Sequence, residues 1–364
     1  MKNRRRTKTV MVGNVPVGGT SPVSVQSMTC TDTRDAPATI RQIRRLERAG
    51  CDIVRVAVPD EKAASALSEI VTAARIPVIA DIHFSHRLAL KSLEAGVHGL
   101  RINPGNIGAE SRVRQVVDAA AQRGVPIRIG INAGSLEKDI FKKYGSACAE
   151  ALAESAVRNI ELIERMGFDQ IKVSIKSADV RTTIDAYKLV SKKTRYPLHI
   201  GVTEAGTLFS GTIKSALGLG VLLYDGIGDT LRVSLSADPV EEVRAGFAIL
   251  QFLGLRSHGP ELISCPTCGR RQIDVVKLAT RVEKRLSGSR APIKVAVMGC
   301  EVNGPGEARE ADIGIAGSSS HGVIFKKGRI VKKCPQNRVM EEFLRELDVL
   351  EREILQAETR AQGT

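Results

Sequence analysis

The chain contains no tryptophan, and aromatic residues make up only 3% of it. Binders of single-stranded nucleic acid stack bases on such side chains, so that class is poorly supplied and no nucleic-acid partner is expected. No run approaches the ~20 apolar residues that cross a bilayer, so no membrane partner is expected either. The basic opening MKNRRRTK leads into mixed polar sequence instead of the apolar stretch of a secretory signal, and is expected to be a solvated, flexible arm. Dense cysteine is missing too. Cys30, Cys51, Cys148, Cys265, Cys268, Cys300 and Cys334 are an odd number scattered over 364 residues, unlike the disulfide framework of a small secreted domain. A reducing cytoplasm is the expected compartment.

What the chain does carry is hydrocarbon and positive charge. Its 43% hydrophobic content supports a large core and excludes wholesale disorder. Fifty-four Lys plus Arg stand against 40 Asp plus Glu, a net charge of +14 that points to an anionic partner. Charge alone does not say which anion.

Short β-branched runs recur with helical segments between them: PVSVQSMT from Pro22, DIVRVAV from Asp52, PVIADIHF from Pro77, GLRINPG from Gly99, PIRIGINAG from Pro126, QIKVSIKS from Gln170, LHIGVTEAG from Leu198 and TLRVSLS from Thr230. The intervening segments place apolar residues at helical spacing, as in Ile40, Ile43 and Leu46, and many close on glycine: Gly50, Gly96, Gly124, Gly167, Gly220 and Gly254. Strand and helix alternating in this way specify parallel pairing, and eight such units closing on themselves make an α/β fold of the (β/α)8 TIM-barrel type. An open doubly wound sheet is the alternative, but no GxGxxG follows the first strand. The barrel is expected over residues 1–255. The Gly-Pro pair and the loss of period mark 256–264 as a linker, and 265–364 read as a small α+β domain.

Strands of a parallel barrel are buried on both faces, so each charge inside one needs a reason. Here Arg55, Asp81 with His83, Arg101 with Asn103, Arg128 with Asn132, Lys172 and Lys176, Thr203 with Glu204, and Arg232 with Ser234 fall inside or just after strands. Most sit toward the C-terminal end, where barrel enzymes place their active sites. Cations converging from several strands repel unless an anion holds them together, so the mouth is expected to bind phosphate. The plainer expectation is a structural network with Asp81, Glu204 and Asp229. Lys172 lies deeper than Lys176 and reads as structural; His199 reads as a satisfied core histidine. Glu204, an acid among cations, is placed to transfer a proton.

Cys265-Pro-Thr-Cys268 brings two thiols to one side of a tight turn, with Cys300 after a later strand. A zinc knuckle looks the same, but a ribbon needs a second CxxC that this chain does not have. Three thiolates and a hard oxygen ligand suit a 4Fe-4S cluster with one exchangeable corner. Glu307, in the glycine-rich loop beyond Cys300, is the candidate fourth ligand, and Cys334 is its rival. Cys30, Cys51 and Cys148 read as packing residues.

SCPTCGR, MGCEVNGPGEAREADIGIAG and the barrel segments VSVQSMT, ADIHF, RINPGNIG and GVTEAG together resemble the bacterial 4-hydroxy-3-methylbut-2-enyl diphosphate synthase family of the methylerythritol phosphate route to isoprenoids, over residues 10 to 350. The resemblance implies an oxidoreductase performing a two-electron reductive ring opening and dehydration of 2-C-methyl-D-erythritol 2,4-cyclodiphosphate. It implies that Cys265, Cys268, Cys300 and Glu307 ligate the 4Fe-4S cluster. Arg55, His83, Arg101, Asn103, Arg128, Asn132, Lys176, Arg232 and Ser234 would hold the cyclic diphosphate, with Thr203 and Glu204 facing the sugar carbons. Reduced flavodoxin or ferredoxin would supply electrons, and a basic surface would speed encounter with such acidic carriers. A nine-residue linker spans at most ~30 Å, too short to carry the second domain comfortably around the barrel. A head-to-tail homodimer is therefore expected, the cluster domain of one subunit capping the barrel of the other. The rival readings are a zinc-stabilised phosphosugar aldolase or epimerase and a basic RNA-binding protein with a zinc knuckle.

Overall fold

The computed structural model describes residues 2–300, 308–318 and 320–362. The chain divides into two compact units, Met1–Arg256 and Ser257–Thr364.

The first unit is the barrel. An antiparallel hairpin, β1 (Thr9–Val12) and β2 (Val15–Gly18), precedes the parallel strands β3 (Ser24–Met28), β4 (Ile53–Ala57), β5 (Val78–Asp81), β6 (Gly99–Ile102), β7 (Ile127–Asn132), β8 (Ile171–Lys176), β9 (His199–Ile200) and β10 (Thr230–Leu231). They run in the order β8-β7-β6-β5-β4-β3-β10-β9, and a bridge between Val173 and Leu198 joins β8 to β9 and closes the ring. All eight recurrent runs supply a strand, although β9 and β10 keep regular pairing for only two residues each. Helix starts at the mouth are held by side-chain caps: Asp60, Ser85, Asp179 and Asp238 each accept a backbone N–H of the following first turn. Gly50, Gly96, Gly124, Gly167 and Gly254 adopt positive φ after their helices, as expected. Gly220 does not. It lies inside the helix Leu208–Tyr224, which runs on to a left-handed Gly226.

The opposite end of the barrel is plugged. Val12 and Val17 of the hairpin pack on Ile53 and Ile79 at the strand starts. The N-terminal arm, expected to be free, is docked there. Lys2 N donates to Tyr224 O at 2.9 Å and Arg5 N to Gly226 O at 2.9 Å, while Arg4 reaches Asp229 at 2.8 Å. A buried carboxylate on an otherwise apolar floor is what the basic arm finds, which its composition alone does not reveal. A Cβ on Gly226 would lie 2.5 Å from Asn3 O, so glycine is needed for this approach.

The second unit is a five-stranded sheet in the order β11-β12-β13-β14-β15, built from β11 (Glu261–Ser264), β12 (Lys294–Met298), β13 (Ile313–Gly317), β14 (His321–Lys326) and β15 (Arg329–Pro335). The first three strands are parallel; β14 and β15 add antiparallel. Helices Val275–Leu286 and Val339–Gln362 bury Val282, Leu286, Met340, Phe343 and Leu347 against Val295, Val297, Ile313 and Ile315. β11 occupies residues that the sequence reading gives to the linker. It is a half-buried edge strand whose pairing with β12 comes from backbone bonds, so its side-chain pattern carries little period. No described helix is long and apolar enough to cross a membrane.

Candidate active site

The strand register builds a ladder of charge inside the barrel. Asp81, Arg101, Arg128 and Lys172 are successive partners across β5, β6, β7 and β8, and partners in a parallel sheet share a face. Asp81 lies 3.4 Å from Arg55 and 3.2 Å from Arg101. Arg55 also donates to Met28 Sδ at 3.0 and 3.2 Å, and Arg232 Nη1 approaches the same sulfur at 3.9 Å. With the Asn132 amide turned so that its oxygen accepts from Arg101 Nη2 at 2.9 Å, its nitrogen donates to Ile131 O at 3.1 Å. A Cβ on Gly130 would stand 2.3 Å from Arg101 Nε, so the bare backbone there lets the guanidinium lie across β7. Gly201 does the same for Lys176, whose amine would meet a Cβ at 3.1 Å.

The electrostatics are one-sided. Arg55, Arg101, Arg128, Lys172 and Lys176 are buried, and among the described residues Asp81 is the carboxylate paired with members of this set. Burial pushes the Asp81 carboxyl up, but Arg55, Arg101 and Arg128 outweigh it and hold it at about 2. Burial brings Arg55 down to about 10 despite Asp81, and drives Arg128 and Lys176 well below their ordinary values, with neighbouring cations adding to the effect. Arg128 Nε and Nη1 and Arg101 Nε are buried without a hydrogen-bond partner. Such a set of donors is completed by a multivalent oxyanion.

The remaining candidates lie around this centre. His83 is exposed just past β5; Asn103 is buried, capping the short helix Pro104–Ile107 and donating to Ser135 Oγ at 3.2 Å. Thr203 is half-buried, its N–H donating to Ser177 O at 3.3 Å, and Ser234 is half-buried two residues after Arg232. Glu204 is exposed with φ at 51°, a left-handed conformation that costs a non-glycine residue ~1 kcal/mol and recurs at functional sites.

The expected ionic network is only partly there. Asp81 takes part, Glu204 is exposed, and Asp229 is committed to Arg4 and to Leu198 N. The partner of Arg232 is one that sequence reasoning missed. Glu242 receives it bidentately at 3.0 and 3.2 Å and accepts from Ser27 Oγ at 2.8 Å. A signal was present: Glu242 falls on the buried stripe Pro239, Val243, Gly246 and Leu250 of its helix. His199 is fully buried with Nδ1 3.4 Å from Thr230 Oγ1, but Nε2 has no partner, and burial among cations keeps the ring neutral.

In the second unit, Cys265 follows β11 directly and Cys300 follows β12, so the two lie at the same end of adjacent parallel strands. Gly299 N donates to Cys265 Sγ at 3.1 Å, and Gln272 N donates to Gly299 O at 2.8 Å, folding the CxxC turn onto the Cys300 strand end. The Arg270 amide holds the exposed Cys268 thiol below its ordinary value. Among the described residues no three His, Cys, Asp or Glu side chains form an assembled metal site. The donor chemistry nonetheless fits a thiolate-bound cluster: Cys265, Cys268 and Cys300 are free thiols carried by the turn after β11 and by the end of β12, and the Gly299 N–H is directed at the Cys265 sulfur. Glu307 lies outside the described residues. Its rival Cys334 is buried on β15, four strands from β11 and thus ~19 Å away across the sheet, with burial raising its thiol. Cys51 is an inert packing residue pushed up to about 12 by burial, whereas Cys30, also read as packing, is exposed.

The family model described as the GcpE TIM-barrel domain matches residues 7–247, and the GcpE protein C-terminal domain matches residues 261–349. The chain belongs to the GcpE family. Among GcpE relatives, the 4-hydroxy-3-methylbut-2-en-1-yl diphosphate synthase (flavodoxin) of Caldanaerobacter subterraneus subsp. tengcongensis is 59% identical over 353 residues, covering 97% of this chain and 99% of that protein. The proteins of the same name from Desulfotalea psychrophila and Geobacter sulfurreducens are 58% and 59% identical, covering 97% and 95% of this chain and 98% of each relative. The aldolase, epimerase and RNA-binding readings find no support among these GcpE relatives. Of solved structures, 3-dehydroquinate dehydratase from Geobacillus kaustophilus is 17% identical with a TM-score of 0.49 over 68% of this chain and 98% of that one, too loose a likeness to bear on function.

Proposed function

We propose that this protein catalyses the reductive ring opening and dehydration of 2-C-methyl-D-erythritol 2,4-cyclodiphosphate to 4-hydroxy-3-methylbut-2-enyl diphosphate, a step in isoprenoid precursor biosynthesis. The observation that carries the reading is the barrel mouth, where buried cations on several strands share Asp81 and leave guanidinium donors unmatched.

Arg55, Arg128, Lys176 and Arg232 hold the diphosphate, with His83 and Ser234 at its rim and Asn103, Arg101 and Asn132 shaping the wall. Their fixed positive charge stabilises the phosphate oxygen as its bond to the ring carbon breaks. Glu204, on its left-handed turn beside Thr203, donates a proton to the departing hydroxyl, which leaves as water. Cys265, Cys268 and Cys300, with Glu307, would hold a 4Fe-4S cluster, which when bound would supply one-electron transfer and a Lewis-acidic iron. Electrons come from reduced flavodoxin, the carrier in the relatives' name, with reduced ferredoxin as the alternative. The cytoplasm is the proposed compartment, since it keeps thiols reduced.

The assembly proposed is a homodimer in which the cluster domain of one subunit caps the barrel of its partner. Arg256, the last residue of the barrel unit, pairs with Asp52 at the strand-start end, opposite the mouth. Support for a second copy comes from the helix Leu208–Tyr224, whose exposed Phe209, Ile213, Leu217, Val221 and Tyr224 recur at helical spacing as one apolar stripe.

Anoxic purification should yield brown protein with about four iron and four sulfide per chain, on the stoichiometry of the cluster, and turnover of the cyclodiphosphate with reduced flavodoxin. Colourless protein holding one zinc, or failure to consume the cyclodiphosphate, would overturn the reading. Mixing Cys300→Ser subunits with Glu204→Gln subunits should restore part of the activity; heterodimers that stay dead would remove the capping arrangement.

A further inference from the structure

We propose that Lys172 is a positioning residue for the anionic substrate: above neutral pH its amine gives up its proton in the empty barrel and takes one up when a diphosphate occupies the mouth, acting through Arg128. The inference rests on the functional reading above, which supplies the diphosphate.

Arg55, Arg101, Arg128, Lys172 and Lys176 are all buried, and among the described residues the carboxylate paired with this set is Asp81, already shared between Arg55 and Arg101. Glu242 is spent on Arg232. Burying that much charge of one sign is costly, and the set can lower the cost by releasing protons. A guanidinium does not release one in a protein, whereas an ammonium does so readily when buried. The adjustment therefore falls on the two lysines.

Lys176 faces the ligand directly. Lys172 stands four residues, two repeats of the pleat, deeper, as the register partner of Arg128. Facing it are Arg128 from β7 and His199 from β9, whose ring burial, and then Arg128, hold neutral. Tyr187, from the helix Val180–Ser191, closes the outer side, accepting from Ile175 N and donating to His199 O, and burial pushes its phenol up so that it stays neutral. Asp81 is three strands away along the ladder. Burial first, and then Arg128, bring the Lys172 amine down to about 7.

A diphosphate seated on Arg128 reverses the sign of this local field, so Lys172 charges on binding. The positive floor then opposes retreat of the Arg128 guanidinium, whose Nε and Nη1 have no protein partner to fix them. The sign of the pH dependence follows. Below the empty-state value the amine is charged with or without ligand, and binding is insensitive to it. Above that value binding requires proton uptake, so affinity falls as pH rises, by up to ~10-fold per pH unit for each proton taken up.

The test is calorimetric titration of the anoxic holoenzyme with the cyclodiphosphate, without reductant, at pH 8 in three buffers of different ionisation enthalpy. Wild type should take up protons. Lys172→Met, similar in size and uncharged, should take up up to one fewer, bind more weakly at pH 7, and lose part of the fall in affinity between pH 7 and 9. In turnover the loss should appear in KM, with kcat within about twofold. Lys172→Arg, permanently charged, should bind with reduced proton uptake, which separates charge from packing if Lys172→Met folds poorly. Equal proton uptake by wild type and both variants overturns the assignment of Lys172 while leaving the functional reading intact. Failure of wild type to bind the cyclodiphosphate overturns both.

Discussion

Asp81→Asn isolates the charge on which the empty mouth depends. The substitution keeps the volume and a hydrogen-bonding oxygen but removes the carboxylate that lies 3.4 Å from Arg55 and 3.2 Å from Arg101. Holding a carboxyl at about 2 instead of 3.8 corresponds to ~2.5 kcal/mol. That figure is a floor, because a protonated carboxyl still bonds its neighbours. Removing one member of a buried ion pair typically costs about 3–5 kcal/mol. At roughly 2–4 °C per kcal/mol for a domain of this size, the barrel should melt about 6–20 °C lower. Inorganic pyrophosphate should recover part of the loss, by ~2.7 kcal/mol at one hundred times its Kd. The sign in pH is equally definite. A depressed carboxyl contributes stability that is fully present above its unfolded value and lost as pH falls toward 2, so the gap between wild type and variant should stay constant from pH 5 to 9. Differential scanning calorimetry across that range checks both statements. A variant melting within a degree or two of wild type would show that the buried cations do not need the carboxylate, and the argument that they await an anion would fail with it.

Other substitutions probe separate parts of the structure. Glu242→Gln leaves Arg232 without its bidentate carboxylate and should cost about 3 kcal/mol in urea unfolding while raising KM for the cyclodiphosphate. Cys334→Ser should keep the full iron and sulfide content, whereas serine at Cys265, Cys268 or Cys300 should lose most of it; iron loss from Cys334→Ser would reinstate Cys334 as a ligand. Gly226→Ala places a methyl against Asn3 O at φ +77 and should cost about 1–2 kcal/mol and release the N-terminal arm, seen as faster amide exchange at Lys2 and Arg5.

Local pattern was enough to determine the alternation of strand and helix, because a buried parallel strand must be β-branched hydrocarbon and a charge inside one stands out at once. That is why Arg55, Arg101, Arg128 and Lys176 could be chosen as site residues, and why the CxxC turn and Cys300 could be set apart from Cys51. Partnership was not legible in the same way. That Asp81 serves two arginines, that Glu242 rather than Glu204 or Asp229 takes Arg232, and that the arm finds Asp229 are facts of register and closure between residues distant in the chain. β11 escaped notice because backbone bonds to β12 define it, and Cys334 was set apart from the other thiols only by the order of strands in its sheet. Side-chain periodicity records which face of an element is buried; which charges then share that space is decided only when the sheet closes.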